Sequence, residues 1–252
     1  VNDIWHFIQV VQLELKEAGY RDEEFDKLTN FTHGLGNSFS RHAYYRQAYC
    51  RPLWRAMRAM FERWKSPRVV DIGCGTGGQA ILFAASGASV VGLDLDELQI
   101  STARKRIVYF QQCTRKLDIR IEIADVTQCD FAAYGQFDVA YSHGCIARYV
   151  RAEDIFRRLR PALGPGGLVI MKNQNPDGLA MRIRRTGGDL SNREDFLRAA
   201  KECGYRPVVV SGTTAVPRAL WFAGEATHIV DWFVRGIKPL QIHLELIFEK
   251  VD

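Results

Sequence analysis

A chain of 252 residues is long enough for one α/β domain with a substantial core and some appendages. Apolar residues make up 47% and charged residues 25%, as in ordinary globular proteins, and a net charge of +5 permits an anionic partner without pointing to nucleic acid. No run approaches the roughly 18 apolar residues of a membrane span, no basic-then-apolar leader opens the chain, and the six cysteines form neither C-x-x-C nor a Cys/His cluster with zinc-ligand spacing. These features predict a cytoplasmic protein with reduced thiols, no membrane span and no metal centre.

Ile4, Phe7, Ile8, Val11 and Leu15 share one helical face, and Gly19 would stop that helix. A short acidic helix or turn over 21–28 and a Gly/Asn/Ser loop over 29–39 follow. Residues 40–64 read as another helix. Leu53, Met57, Met60, Phe61 and Trp64 make its apolar side, Arg51, Arg55 and Arg58 a solvated basic side, and Pro52 a kink or break. Residues 1–66 are therefore expected to be a helical N-terminal cap over one edge or the mouth of a main domain, 67–252.

That domain alternates strand and helix, which specifies a mostly parallel sheet with helices on both faces. The predicted strands are 69–72, 89–93, 119–124, 137–141, 168–171, 206–211 and 241–249, and the helices 77–85, 97–110, 153–163 and 191–203. Ser191 reads as the cap of the last helix, with Glu194 in the capping-box place. Gly164-Pro165-Gly166-Gly167 reads as a turn before the fifth strand. Residues 212–240, with Trp221, Phe222, Trp232 and Phe233, form an insertion between the sixth and seventh strands, its aromatics expected to make a local core and then pocket walls.

The chemistry gathers where strands end. Val69-Val70-Asp71-Ile72-Gly73-Cys74-Gly75-Thr76-Gly77-Gly78 reads as a buried strand breaking into a glycine loop ahead of a helix, whose free N–H groups face the loop. Gly73, Gly75 and Gly78 also satisfy the dinucleotide G-x-G-x-x-G. Asp71 argues against that ligand, since a carboxylate there crowds a pyrophosphate but suits loop amides or a cationic group. Asp94 ends the second strand about 20 residues on, placed to accept from vicinal ribose hydroxyls, or else to cap the next helix. Asp125 ends the third strand and Ser142-His143-Gly144-Cys145 the fourth. In doubly wound sheets, ligands sit outside this edge.

The stretch VVDIGCGTGG resembles motif I of class I S-adenosylmethionine (SAM)-dependent methyltransferases. Val91-Gly92-Leu93-Asp94 is similar to their motif II, and Gly164–Gly167 to their P-G-G turn; the resemblance covers roughly residues 68–211. It implies a doubly wound, seven-stranded sheet with the last strand antiparallel, and SAM as cofactor, with S-adenosylhomocysteine (SAH) as product. It further implies cofactor contacts from Asp71, Gly73, Cys74, Gly75 and Gly77, from Asp94 and Leu95, from Asp125 and Val126 at the adenine, and from Ser142. Tyr45 and Arg46 would close over the cofactor from the cap. The fourth strand lacks Asn/Asp-Pro-Pro-Tyr and Pro-Cys, which turns the reading toward oxygen or nitrogen of a small molecule. His143 is the candidate base, with a pocket-wall role as the alternative. Trp221 and Phe222 are candidate substrate contacts from a lid, and Arg182 and Arg185 suit an anionic acceptor. RNA or a phosphorylated glycan as acceptor, and a non-catalytic binding subunit, are the rival readings; a homo-oligomer is compatible with all three.

Overall fold

A computed structural model describes residues 43–113, 117–179, 191–213, 225–234 and 236–251. Helix α1 (Ala43–Phe61) leads into β1 (Arg68–Ile72), α2 (Gly78–Ala85), β2 (Ser89–Asp94), α3 (Glu97–Cys113) and β3 (Ile119–Ile123). Then come β4 (Phe137–His143), a short α4 (Ile146–Tyr149), α5 (Ala152–Leu159), β5 (Leu163–Gln174), α6 (Arg193–Glu202), β6 (Tyr205–Thr213), α7 (Glu225–Val234) and β7 (His243–Lys250).

The strands form one sheet in the order β3-β2-β1-β4-β5-β7-β6. Pairings from β3 to β5 are parallel, and β7 runs antiparallel to both β5 and β6. The seven-stranded sheet expected from the sequence is thus present, with its last strand reversed. Val69, Val70, Asp71 and Ile72 are all buried, as a strand covered on both faces requires. On one face Val69, Tyr141 and Ile170 pack with Leu53 and Met60 of α1, Phe83 of α2 and Ile100 of α3. On the other, Val70, Ile72 and Met171 pack with Phe156 of α5 and Phe196 of α6. Phe156 meets Phe196, Tyr205 and Phe248 at ring-centroid distances of 6.5, 5.0 and 5.0 Å. The Phe196 and Phe248 contacts are edge-to-face, a geometry that adds to the area that each ring buries.

Several local expectations change in the folded chain. Pro52 lies inside α1, which continues on both sides of it. The glycine-rich stretch 164–167 belongs to β5 rather than preceding it: Phe137 pairs with Leu163 and Val139 with Leu168, so the extra residues bulge out of the ladder. The cap of α6 is Asn192, not Ser191. Asn192 Oδ1 accepts from Asp195 N at 3.0 Å, and Asp195 Oδ2 accepts from Asn192 N at 3.0 Å. Ser191 Oγ instead accepts from Ala152 N at 3.0 Å, joining the starts of α5 and α6. In the insertion, Trp232 and Phe233 are exposed, not core, while α7 packs against α1. The expected helix and loop over 4–39 lie outside the described residues.

Candidate functional site

The strand order reverses between β1 and β4, and the carboxyl ends of β1, β2 and β4 open there into a cavity of about 720 Å³. The loop after β1 forms its floor. Gly73 and Cys74 donate their N–H groups to Leu93 O at 2.8 and 3.0 Å, and Gly77 N donates to Cys74 O at 2.9 Å. Gly73 and Gly75 have φ of 73° and 53°, a region that residues with a Cβ rarely enter. Their missing side chains make room for the chain itself: a Cβ on Gly73 would come within 2.4 Å of Cys145 Cβ, and one on Gly75 within 2.6 Å of Gln99 Oε1. Behind the loop, the buried Arg106 donates to the carbonyl and, at 3.0 Å, to the hydroxyl of Thr76.

Three carboxylates approach this floor, each in a different setting. Asp71 is 2% exposed, and its Oδ2 has no partner among the described residues. Burial first, and the Asp94 charge second, push its pKa up to about 8, while the N–H of Ala80 in α2 pulls the other way. Asp94 accepts from Gly75 N at 2.8 Å through Oδ2 and from Asp96 N at 3.0 Å through Oδ1, so it ties the end of β2 to the glycine loop. Asp125 accepts from Thr127 Oγ1 at 2.6 Å, Thr127 N at 2.9 Å and Gln128 Nε2 at 3.1 Å. The Thr127 hydroxyl and amide hold its pKa below the ordinary carboxylate value.

At the end of β4 the side chains diverge. Ser142 is fully buried and donates to Ile72 O at 3.0 Å, so its hydroxyl stitches β4 to β1 and does not line the cavity. His143 does line it, with Nδ1 3.3 Å from Tyr141 Oη. Cys74 and Cys145 also face the cavity, and burial raises both thiols, Cys145 to about 12. Leu95, Val126 and Asp125 line it farther out, while Gly77 lies behind the wall as the N-cap of α2. Tyr45 and Arg46 sit in the first turn of α1, their side chains outside the described set; Trp221, Phe222, Arg182 and Arg185 lie outside the described residues altogether.

A polar row on the far wall escaped the motif reading. Register places His143 beside Lys172, Lys172 beside Glu245 and Glu245 beside Ser211, across β4, β5, β7 and β6. Glu245 is 2% exposed; it accepts from Arg55 Nη1 at 2.5 Å and Ser211 Oγ at 3.3 Å. Arg55 is therefore not a solvated residue of α1 but that helix's tie to the sheet. Lys172 is buried, and burial lowers its ammonium to about 8 against the opposing pull of Glu245. The available signal was a cation directly after the apolar run 168–171 and an acid between Leu244 and Leu246, but no motif joins them.

Residues 69–167 match a family model described as a methyltransferase domain. Phosphoethanolamine N-methyltransferase 3 of Arabidopsis thaliana is 30% identical over 155 residues, 58% of this chain and 30% of that protein. A ubiquinone biosynthesis O-methyltransferase of Roseobacter denitrificans is 36% identical over 125 residues, 48% of each chain. This chain thus spans 30% and 48% of the length of these two relatives. Among solved structures, a SAM-dependent methyltransferase of Mesorhizobium loti superposes with a TM-score of 0.56 at 21% identity, covering 79% of this chain and 98% of that one. The matched segment runs from the glycine-loop strand into β5, so the chain is similar to a methyltransferase domain over residues 69–167, and its seven-stranded sheet with a reversed last strand has the fold of that SAM-dependent methyltransferase.

Proposed function

We propose that the protein moves a methyl group from SAM to an oxygen or nitrogen of a small molecule. The observation that carries this is the cavity at the switch point, floored by a glycine loop and rimmed by Asp71, Asp94 and Asp125. These residues suit SAM better than a dinucleotide. Asp71 keeps a buried oxygen with no partner among the described residues, and a cationic ligand such as the SAM ammonium would supply the charge that lets it ionise. Asp94 has one lone pair on each oxygen engaged by a backbone amide, leaving capacity for vicinal ribose hydroxyls. Asp125 and Val126 stand where the adenine would lie.

SAM supplies a methyl group on a positively charged sulfur that leaves as a neutral thioether. The protein's part is to hold the acceptor in line with that sulfur, keep water out and take up a proton where the acceptor carries one. His143 lies at the cavity wall with its ring near Tyr141, in position for the last task.

Acceptor recognition comes mainly from two segments outside the matched domain, the N-terminal cap 1–66 and the insertion 212–240. The packing of α7 on α1 supports their meeting. In this reading Trp221 and Phe222 contact the acceptor, Arg182 and Arg185 assist with an anionic one, and Tyr45 and Arg46 reach the cofactor. The relatives named for N- and O-methylation support the acceptor class. The direct test is calorimetric titration of the full chain with SAH, followed by transfer of labelled methyl from SAM to a panel of small hydroxyl and amine acceptors. SAH is expected to bind at one site; a folded protein that does not bind it would overturn the proposal.

A further inference from the structure

Asn173, one residue from the end of β5, lines the cavity and is 1% exposed. β5 outruns its neighbour there. The pairing with β4 stops at His143 and Lys172, and Gly144 N donates to Lys172 O at 2.7 Å as the chain turns away, with Gly144 at φ of 80°. On the other side Asn173 stays paired with Leu244 of β7. Alternation puts Asn173 in line with Val169 and Met171, on the face that α5 and α6 cover, while His143 continues Val139 and Tyr141 on the α1 face. The two side chains therefore come to the cavity from opposite faces of the sheet.

An amide is costly among these neighbours. Met171 and Leu244 are fully buried, and a leucine beside them would bury apolar area with no polar group to satisfy. The amide of Asn173 is only half used. Nδ2 donates to Met171 Sδ at 3.7 Å, a weak acceptor, and Oδ1 is shielded from solvent with no partner among the described residues. Such an oxygen costs stability until a donor reaches it. The terminal torsion of asparagine is broad and little is lost by leaving a thioether, so the amide can turn its oxygen to a donor that enters the cavity.

Its place in the sheet decides which donor that is. Asp71 and Asp94, read above as meeting the ammonium and the ribose, stand at the ends of β1 and β2. β5 lies two strands from β1 in the other direction, roughly 10 Å away at the spacing of paired strands. On the proposed cofactor pose, that is the acceptor's side of the methyl group. Resting on the methyl-transfer reading above, we propose that Asn173 Oδ1 accepts a hydrogen bond from an O–H or N–H of the acceptor, on the opposite flank from His143. An amide oxygen can only accept, so the acceptor class narrows to small molecules that present such a hydrogen there: alcohols, phenols, and primary or secondary amines. Ethers and tertiary amines with no other donor are disfavoured.

The test uses the full chain saturated with SAH and titrated calorimetrically with two matched pairs, phenol against anisole and aniline against N,N-dimethylaniline. In at least one pair the donor-bearing compound should bind about fivefold or more tighter, the lower end of what leaving a buried acceptor unsatisfied costs. Asn173→Leu should erase that difference with wild-type SAH affinity. In urea denaturation of the ligand-free chain, Asn173→Leu should keep or raise the unfolding midpoint, because it removes an unsatisfied polar group; an amide with a structural partner would give a lower one. Where Asn173→Leu does not fold, Asn173→Val carries the same expectations. No donor preference in either pair, a preference that survives loss of the amide, or a midpoint lowered in both variants would overturn the proposal. SAH binding without donor preference defeats this inference alone; absence of SAH binding defeats both readings.

Discussion

Asp94→Ala separates what this carboxylate does for the loop from what it does for the cofactor. In the ligand-free chain its two oxygens accept the N–H groups of Gly75 and Asp96 at 2.8 and 3.0 Å. Hydrogen bonds to a charged group contribute about 1.5–3 kcal/mol each when buried. Asp94 is only half-buried, so water replaces part of the loss, and the expected cost to stability is about 1–3 kcal/mol in total. On the proposed pose, the ribose hydroxyls lose their acceptor as well. SAH affinity should then fall by a further 1–3 kcal/mol, or about 5- to 150-fold. Asp94→Asn keeps one oxygen acceptor and should fall between wild type and alanine in both measurements. Urea denaturation reads the first effect, and titration with SAH under conditions where the variant is fully folded reads the second. A folded Asp94→Ala protein with wild-type SAH affinity would refute the placement of the ribose at β2.

The remaining predictions concern the floor, the wall and the frame. Asp71 titrates near 8 in the fold against an ordinary 3.8, so between those values the native state holds a proton that the unfolded chain has lost. The contribution of Asp71 to the stability of the ligand-free protein should be fully present below about pH 4 and be lost as pH rises toward 8, with a slope of at most about 1.4 kcal/mol per pH unit; Asp71→Asn should make the variant's stability rise relative to wild type over that range, read by denaturation at each pH. His143→Asn should lower turnover roughly 10²- to 10⁴-fold and remove the acidic limb of the pH–rate profile with little change in SAH affinity, and near-normal turnover would leave His143 a wall residue. Asn192→Ala should cost about 1 kcal/mol by removing the α6 cap, read by urea denaturation, whereas a larger loss from Ser191→Ala would return the cap to Ser191.

The order of elements and the chemistry of the β1 loop were legible in the chain because they are local. Val69 to Ile72 are buried on both faces, so an uninterrupted apolar run with one acid marks the strand, and three glycines mark the turn. Asp94 and Asp125 could be read for the same reason: each ends a short apolar or β-rich stretch, and a parallel sheet brings such ends to one edge. Other features were misread by one residue or one pairing. Ser191 and Asn192 are both good caps, and only the packing of α5 against α6, which draws Ser191 Oγ to Ala152 N, decides between them. Ser142 ends a strand beside His143, yet alternation turns its hydroxyl toward β1 and the histidine toward the cavity.

What the amino-acid sequence determined by itself was the alternation of strands and helices and the acidic ligand edge, since each follows from short-range patterning; the reversed last strand was legible only through the family resemblance. The Lys172–Glu245–Arg55 row belongs to the tertiary structure. Its members lie on β5, β7 and α1, and they meet only because β7 inserts antiparallel between β5 and β6 while α1 packs across that face. A buried charge is tolerable only where the register of two strands and the tilt of a helix supply its counter-charges, and no single stretch of sequence records that.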